Sequence, residues 1–181
     1  INFSKKQNLI SFIGKLNSAK GYDIFGKTII TILKKYKNWK AVVIGDEPRE
    51  KLFFDHKNLK IFGYLKHDKV LDILKKVSIS VVCSRWEEPF GRTSLEAASR
   101  GCAVIISNRG GLPETSNNAI ILKNLSTNEL FNKIEDLVND KKKLKIVQKL
   151  NYKSFKFDHT FISNLIDRVR ATFALKKSFI I

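Results

Sequence analysis

The stretch Ile79-Ser80-Val81-Val82-Cys83-Ser84-Arg85-Trp86-Glu87-Glu88-Pro89-Phe90-Gly91-Arg92-Thr93-Ser94-Leu95-Glu96 changes periodicity half-way, and that change decides the fold. Ile79 to Cys83 is a short apolar, β-branched run of buried-strand type, whereas Gly91 to Arg100 reads as a helix. Open α/β sheets bind their ligands at such strand-to-helix turns. Glu88 falls in the loop and Glu96 within the helix, eight positions on. At about 1.5 Å of rise per helical residue, the two carboxylates are spaced to grip opposite ends of one ligand. The Pro89-Phe90-Gly91 bend lets backbone N–H groups at the helix start come close to that ligand, and such groups favour phosphate.

Working outward, further β-rich runs are expected as strands at Leu9 to Ile13, Ala41 to Ile44, Leu59 to Phe62, Ala103 to Ile106 and Ala119 to Leu122. Helical patterns separate them at Tyr22 to Tyr36, at a short Glu47 to Phe54 segment and at Asp68 to Val77. The loop carrying Gly110-Gly111-Leu112-Pro113-Glu114 has room for one helical turn at most. This alternation implies βαβ units: a Rossmann-like α/β domain with six parallel strands and helices on both faces. The sheet occupies residues 8–122. After it, Ser126-Thr127-Asn128-Glu129 forms a capping box that opens a helix to Asn139. Leu144 to Phe155 and Phe161 to Phe173 carry apolar residues at three-to-four spacing, as helices packed on the sheet or on another part of a longer protein. Ser178 to Ile181 has no periodicity.

A chain of 181 residues, 43% of them hydrophobic, supports one domain with a full core. No apolar stretch approaches the roughly 18 residues of a membrane span. The chain opens on Ile1 and contains no Met, as expected of a piece of a longer protein. Cys83 and Cys102 have no metal-ligand spacing and read as small core residues in a reducing, cytoplasmic setting. The formal net charge of +17 comes mainly from Lys scattered over amphipathic segments. Solvated helix faces explain most of it; attraction to an anionic membrane surface is the second reading. Nucleic acid is the third, and no aromatic-stacking platform backs it.

The first strand leads into Ile13-Gly14-Lys15-Leu16-Asn17-Ser18-Ala19-Lys20-Gly21, which puts two Lys in the first loop at the carboxyl edge. There Lys15 and Lys20 are placed to converge on a diphosphate while Glu88 and Glu96 address hydroxyls. Other conspicuous residues are assigned structural roles: Trp86 as packing at the cleft edge, Glu114 as a helix-start charge, Glu87 as solvated and His67 as a surface residue beside a helix start. His56 and His159 lack a partner at catalytic spacing, so no histidine base is expected.

Together, these segments resemble the donor-binding, C-terminal half of the retaining glycosyltransferases of GT-B fold, family four, also called group 1. The resemblance spans about residues 8–175. It rests on Gly14-Lys15-Leu16 with Lys20-Gly21, Val43-Ile44-Gly45, Phe62-Gly63-Tyr64-Leu65, Ser84 to Gly91 with Leu95-Glu96-Ala97, and Gly110 to Glu114. It implies that Lys20, and Lys15 where the family usually has Arg, bind the donor's diphosphate; that Glu96 takes the ribose hydroxyls; and that Glu88 holds sugar hydroxyls beside the anomeric carbon. Gly14 belongs to the same donor site. Backbone N–H groups of Phe90, Gly91, Arg92 and Thr93 would meet sugar and phosphate oxygens, and Gly63 and Tyr64 would line the base pocket. Lys at position 15 offers a point charge in place of a planar fork.

The implied reaction is transfer of a hexose from a nucleotide diphosphate sugar to a glycan, lipopolysaccharide or lipid-linked acceptor. The acceptor would be held by an N-terminal domain that this chain lacks, so the isolated chain is expected to bind donor and turn over little. Asp-x-Asp occurs nowhere, so no metal is expected. The rival readings are a non-catalytic nucleotide-binding or interaction module of the same fold, a nucleic-acid binder and, within enzymes, an epimerase or phosphorylase.

Overall fold

The computed structural model describes residues 1–155, 157 and 159–177. Its six strands, β1 (Leu9–Ile13), β2 (Lys40–Ile44), β3 (Leu59–Ile61), β4 (Ile79–Val82), β5 (Ala103–Ser107) and β6 (Ile120–Leu122), form one parallel sheet. Their order is β3-β2-β1-β4-β5-β6. This is the doubly wound order, whose direction of winding reverses between β1 and β4. Side chains alternate across each strand, so Ile10 and Phe12 of β1 join one apolar cluster and Leu9 the other.

Helices cover both faces. On one lie α1 (Tyr22–Lys35) and α4 (Thr127–Asn139), which bury Phe25, Ile29 and Leu33 with Leu130, Ile134 and Leu137 against Phe12, Val43 and Ile105. On the other, α2 (His67–Leu74) and α3 (Arg92–Ser99) bury Val70, Leu74, Ala97 and Ala98 with Val42, Val104 and Ile106. Small residues on α3 let it lie close over β4 and β5.

A further helix, α5 (Lys141–Lys153), spans the amino-terminal edge of the sheet. Its buried amides satisfy backbone groups there: Gln148 donates to the Ser78 carbonyl at 3.1 Å and Asn151 to the Cys102 carbonyl at 3.0 Å. Lys6 does the same work nearby, donating to the Leu74, Val77 and Arg100 carbonyls at 3.0, 2.6 and 2.7 Å and so capping the ends of α2 and α3. Burial lowers its pKa from the usual value.

Three expectations change. Glu47 to Phe54 is not a helix. Leu52 and Phe54 both pack toward the core while Phe53 between them is exposed, a period of two that only extended chain provides. The capping box at α4 is half formed. Ser126 accepts from the Glu129 N–H at 3.2 Å, but the Glu129 carboxylate turns back to the Lys123 and Asn124 N–H groups instead. Of the two placements expected for the last described helix, α6 (His159–Lys177), packing on the sheet is the one not seen: Leu165, Ile166, Val169 and Phe173 are exposed. Ser178 to Ile181 lies outside the described residues.

Candidate active site

Two loops at the carboxyl edge are stitched together at the switch point. Asn17 caps a single 3-10 turn at Ser18–Lys20, and Gly21 follows in the left-handed conformation at φ 75. A Cβ there would stand 1.9 Å from the Cys83 carbonyl oxygen, so only glycine lets this turn press on the end of β4. The β4 loop answers: the Arg85 and Trp86 N–H groups donate to the Ala19 carbonyl at 2.8 and 3.1 Å. The Arg85 guanidinium grips Asp23 at 2.6 and 2.8 Å and the Ser18 carbonyl, holding the Asp23 carboxyl below its ordinary pKa.

This stitching sets Lys20 against Glu88, with Nζ to Oε1 at 2.5 Å. The side chains are 30% and 14% exposed, so the pair is half buried. Behind Glu88 the Gly110-Gly111 turn packs backbone on backbone: the Gly111 N–H donates to the Glu88 carbonyl at 2.7 Å. A Cβ on Gly110 would meet that carbonyl oxygen at 2.3 Å, and one on Gly111 the Pro89 carbonyl oxygen at 2.7 Å. Glu87 completes the clamp, accepting from the Gly110 N–H at 2.5 Å and pairing with Arg109 at 3.0 Å. Glu87 is therefore a tether between the two loops as well as a partly solvated charge.

Gly91, at φ 84, starts α3 without a side-chain cap, which leaves the first N–H groups of that helix for a ligand. In front of them lies a cavity of about 350 Å³ lined by Gly14, Lys20, Ser84, Glu88 and Phe90 to Thr93, with Phe12, Ile13 and Val82 from the strand ends. It sits between β1 and β4, the position at which doubly wound sheets bind ligands.

The structure brings Gly14, Lys20, Glu88, Phe90, Gly91, Arg92 and Thr93 together around that cavity. Lys15, Gly63, Tyr64 and Glu96 do not line it. Tyr64 is 77% exposed, and Gly63 lies beyond β3, where its carbonyl accepts from the Gly45 N–H. Glu96 projects from the second turn of α3 and is held by His67 at 3.0 Å and Arg92 at 3.5 Å, both on Oε1. His67 is thus a hydrogen-bond partner of a candidate site residue. Trp86 is 60% exposed and does not pack at the cleft edge, because its loop is already anchored through backbone bonds to Ala19. Glu114 lies in the first turn of a 3-10 helix at Leu112–Thr115, a charge near a helix start as expected. Cys83 and Cys102 are free and fully buried, and burial pushes their pKa up to about 12 and about 11. Ser84 lines the cavity as well, a residue the sequence analysis does not single out; its place two residues past β4, a switch-point strand, is the signal that finds it.

The family model described as glycosyl transferases group 1 matches residues 1–154. The chain belongs to that family. Spore coat protein SA of Bacillus subtilis is 29% identical over 158 residues, covering 76% of this chain and 41% of its own length. An uncharacterized 42.6 kDa protein from the cps region of Klebsiella pneumoniae is 36% identical over 110 residues, 59% of this chain and 28% of that protein. The chain therefore spans less than half the length of these curated relatives. Among solved structures, the C-terminal domain of a glycosyl transferase group 1 family protein from Francisella tularensis is 27% identical. It superposes with a TM-score of 0.71 over 80% of this chain and 82% of that one. The Anabaena protein HepE, solved with UDP and glucose, shares the fold at 20% identity, with a TM-score of 0.74 over 92% of this chain and 48% of its own. The six-stranded sheet of this group 1 member is thus the C-terminal domain architecture of GT-B glycosyltransferases.

Proposed function

We propose that this chain is the donor-binding half of a retaining glycosyltransferase that moves a hexose from a nucleotide diphosphate sugar to a glycan, lipopolysaccharide or lipid-linked acceptor. The observation that carries the reading is the switch-point cavity. One ammonium group, one carboxylate and an uncapped helix N-terminus meet there in about 350 Å³. The leaving group of such a transfer is a nucleoside diphosphate, and Lys20 with the Gly91 to Thr93 N–H groups would stabilise the charge that develops on it. Removing one preorganised donor of this kind typically costs about 2.7 to 4 kcal/mol of barrier. Lys15 would reach the phosphates from outside the cavity.

Glu88 would hold sugar hydroxyls, and Glu96 the ribose. Its Oε2 carries the ribose contact in this assignment, since His67 and Arg92 both take Oε1. Gly63 and Tyr64 would meet the base. Lys20 and the helix supply the positive charge, so we propose transfer without a divalent cation. The acceptor would be held by a separate N-terminal domain. The domain would work in the cytoplasm; no described helix is long and apolar enough to cross a membrane.

The test is calorimetric titration of UDP, GDP and ADP, and then of their sugars, into the chain in the presence of a chelator. Binding of one nucleotide that Lys20→Ala and Glu96→Ala both weaken supports the assignment. Binding that appears only with a divalent cation overturns the metal-free mechanism. Binding that neither substitution affects places the donor elsewhere.

A further inference from the structure

Helix α5 has two unlike sides. Leu144, Gln148 and Asn151 face the sheet edge and are buried. Positions 142, 145, 146, 149, 150 and 153 recur at intervals of three and four and so share the opposite side. That side carries Lys142, Lys145, Lys149 and Lys153, all exposed, with Ile146 at 57% and Leu150 at 45% exposure between them. The helix contains no acidic residue. Lys143, on its flank, pairs with Asp136 at 2.5 Å. Among the described residues no carboxylate pairs with the four outward lysines.

We propose that this outward face docks on an anionic lipid surface, with the lysines over headgroup phosphates and Ile146 and Leu150 in the acyl boundary. A solvated helix face has no need of two large aliphatic side chains held in water between unpaired cations. A phosphodiester backbone would use the lysines but has nothing to receive Ile146 and Leu150, which cannot stack on bases. An anionic bilayer uses both, by electrostatic attraction and by burial of apolar area. The placement is also workable: α5 crosses the amino-terminal edge of β4 and β5, whereas the cavity opens at the carboxyl edge. Docking would leave the cavity turned toward the aqueous phase, where a water-soluble donor is found.

The experiment is co-sedimentation of the chain with vesicles of phosphatidylcholine alone and of phosphatidylcholine mixed with an equal part of phosphatidylglycerol. The wild type should bind the mixed vesicles selectively, and less so as salt is raised. Reversing Lys142, Lys145, Lys149 and Lys153 to Glu should weaken that binding by about a thousandfold or more. Ile146→Asn with Leu150→Asn should weaken it by about tenfold with charge unchanged. A control that reverses the exposed Lys27, Lys34, Lys37 and Lys57 changes net charge equally and should have little effect.

Equal binding to both vesicle types, equal loss in the control, or indifference to the Ile146 and Leu150 substitutions would overturn the proposal. So would tighter binding to a DNA duplex than to mixed vesicles. Circular dichroism checks that each variant is folded, and UDP titration of the α5 variants should match wild type. A failure of lipid docking is thereby distinguishable from a failure of the donor assignment.

Discussion

Under the donor assignment, Lys20 and Glu88 should respond in opposite directions when the ligand is a nucleoside diphosphate without its sugar. In the free cleft they neutralise one another at 2.5 Å. A unit-charge pair at 4 Å is worth about 4 kcal/mol at an effective dielectric of 20. Exposed pairs measure only about 0.2 to 1 kcal/mol. With side chains 30% and 14% exposed, this pair belongs between those limits, at roughly 1 to 2 kcal/mol. A diphosphate competes with Glu88 for the ammonium group. Glu88→Gln keeps the shape and removes the competitor, so UDP affinity should rise, by about five- to thirtyfold at most. Lys20→Met removes a charge-assisted hydrogen bond worth about 1.5 to 3 kcal/mol and leaves Glu88 facing the phosphates, so affinity should fall by about a hundredfold. The assay is calorimetry at low and moderate salt, with thermal melts to confirm folding. In the full-length enzyme Glu88→Gln should abolish transfer although the leaving group binds more tightly. If both substitutions weaken UDP binding by the same factor, the pair is a structural strut and the competition argument is wrong.

Gly110→Ala and Gly63→Ala both place a side chain at positive φ, +50 and +66, but only the first drives Cβ into backbone, 2.3 Å from the Glu88 carbonyl oxygen. Left-handed strain should cost both roughly 1 to 2 kcal/mol of stability; Gly110→Ala should lose clearly more, read as a lower Tm. His67→Ala deprives Glu96 of its 3.0 Å partner and should lower nucleotide affinity about three- to tenfold in titration, the worth of one hydrogen bond. At alkaline pH the thiols should destabilise the fold. Unfolded Cys ionises near 9.0, whereas Cys83 and Cys102 stay protonated to about 12 and about 11 when folded. A raised folded pKa contributes stability that is complete below the unfolded value and is lost as pH climbs toward the folded one. Urea midpoints should therefore fall above about pH 9, less so in Cys83→Ala, and neither thiol should react with a disulfide reagent in the native state at neutral pH.

The sheet was legible because each strand is a compact β-branched run and each crossover helix has its own period; β1 keeps its expected bounds and each of the other five strands moves by a single residue. Glu47 to Phe54 misled because Leu52 and Phe54 satisfy an apolar count without showing that both turn inward. In the site, residues with backbone tasks were the readable ones: Gly21 and Gly91 mark turns that L side chains resist. What could not be read was pairing. Nothing in the spacing shows that Arg85 reaches back 62 positions to Asp23, or that Glu87 binds Gly110 and Arg109 rather than water. Those contacts depend on how two loops from different βα units meet, which sequence separation does not encode.

That pairing changes what the cleft asks of a donor. Three carboxylates, Glu87, Glu88 and Glu96, lie on one loop and the helix that follows it, and each has a cationic partner. Left unpaired, they would repel one another and any incoming diphosphate. The three pairs are not equivalent. Glu87 is spent on holding the Gly110 turn, so a ligand gains nothing by disturbing it. Glu96 offers Oε2 while its Oε1 stays paired, so a ribose hydroxyl can dock there without breaking an ion pair. Glu88 alone must share or surrender its cation. Under the donor assignment, the nucleoside end therefore binds to a preorganised group, and the rearrangement falls on the sugar-phosphate end, next to the bond that breaks. Interactions that strengthen only when charge develops on the phosphate raise turnover rather than affinity. Lys20 should accordingly matter more to the rate of transfer than to retention of the intact donor.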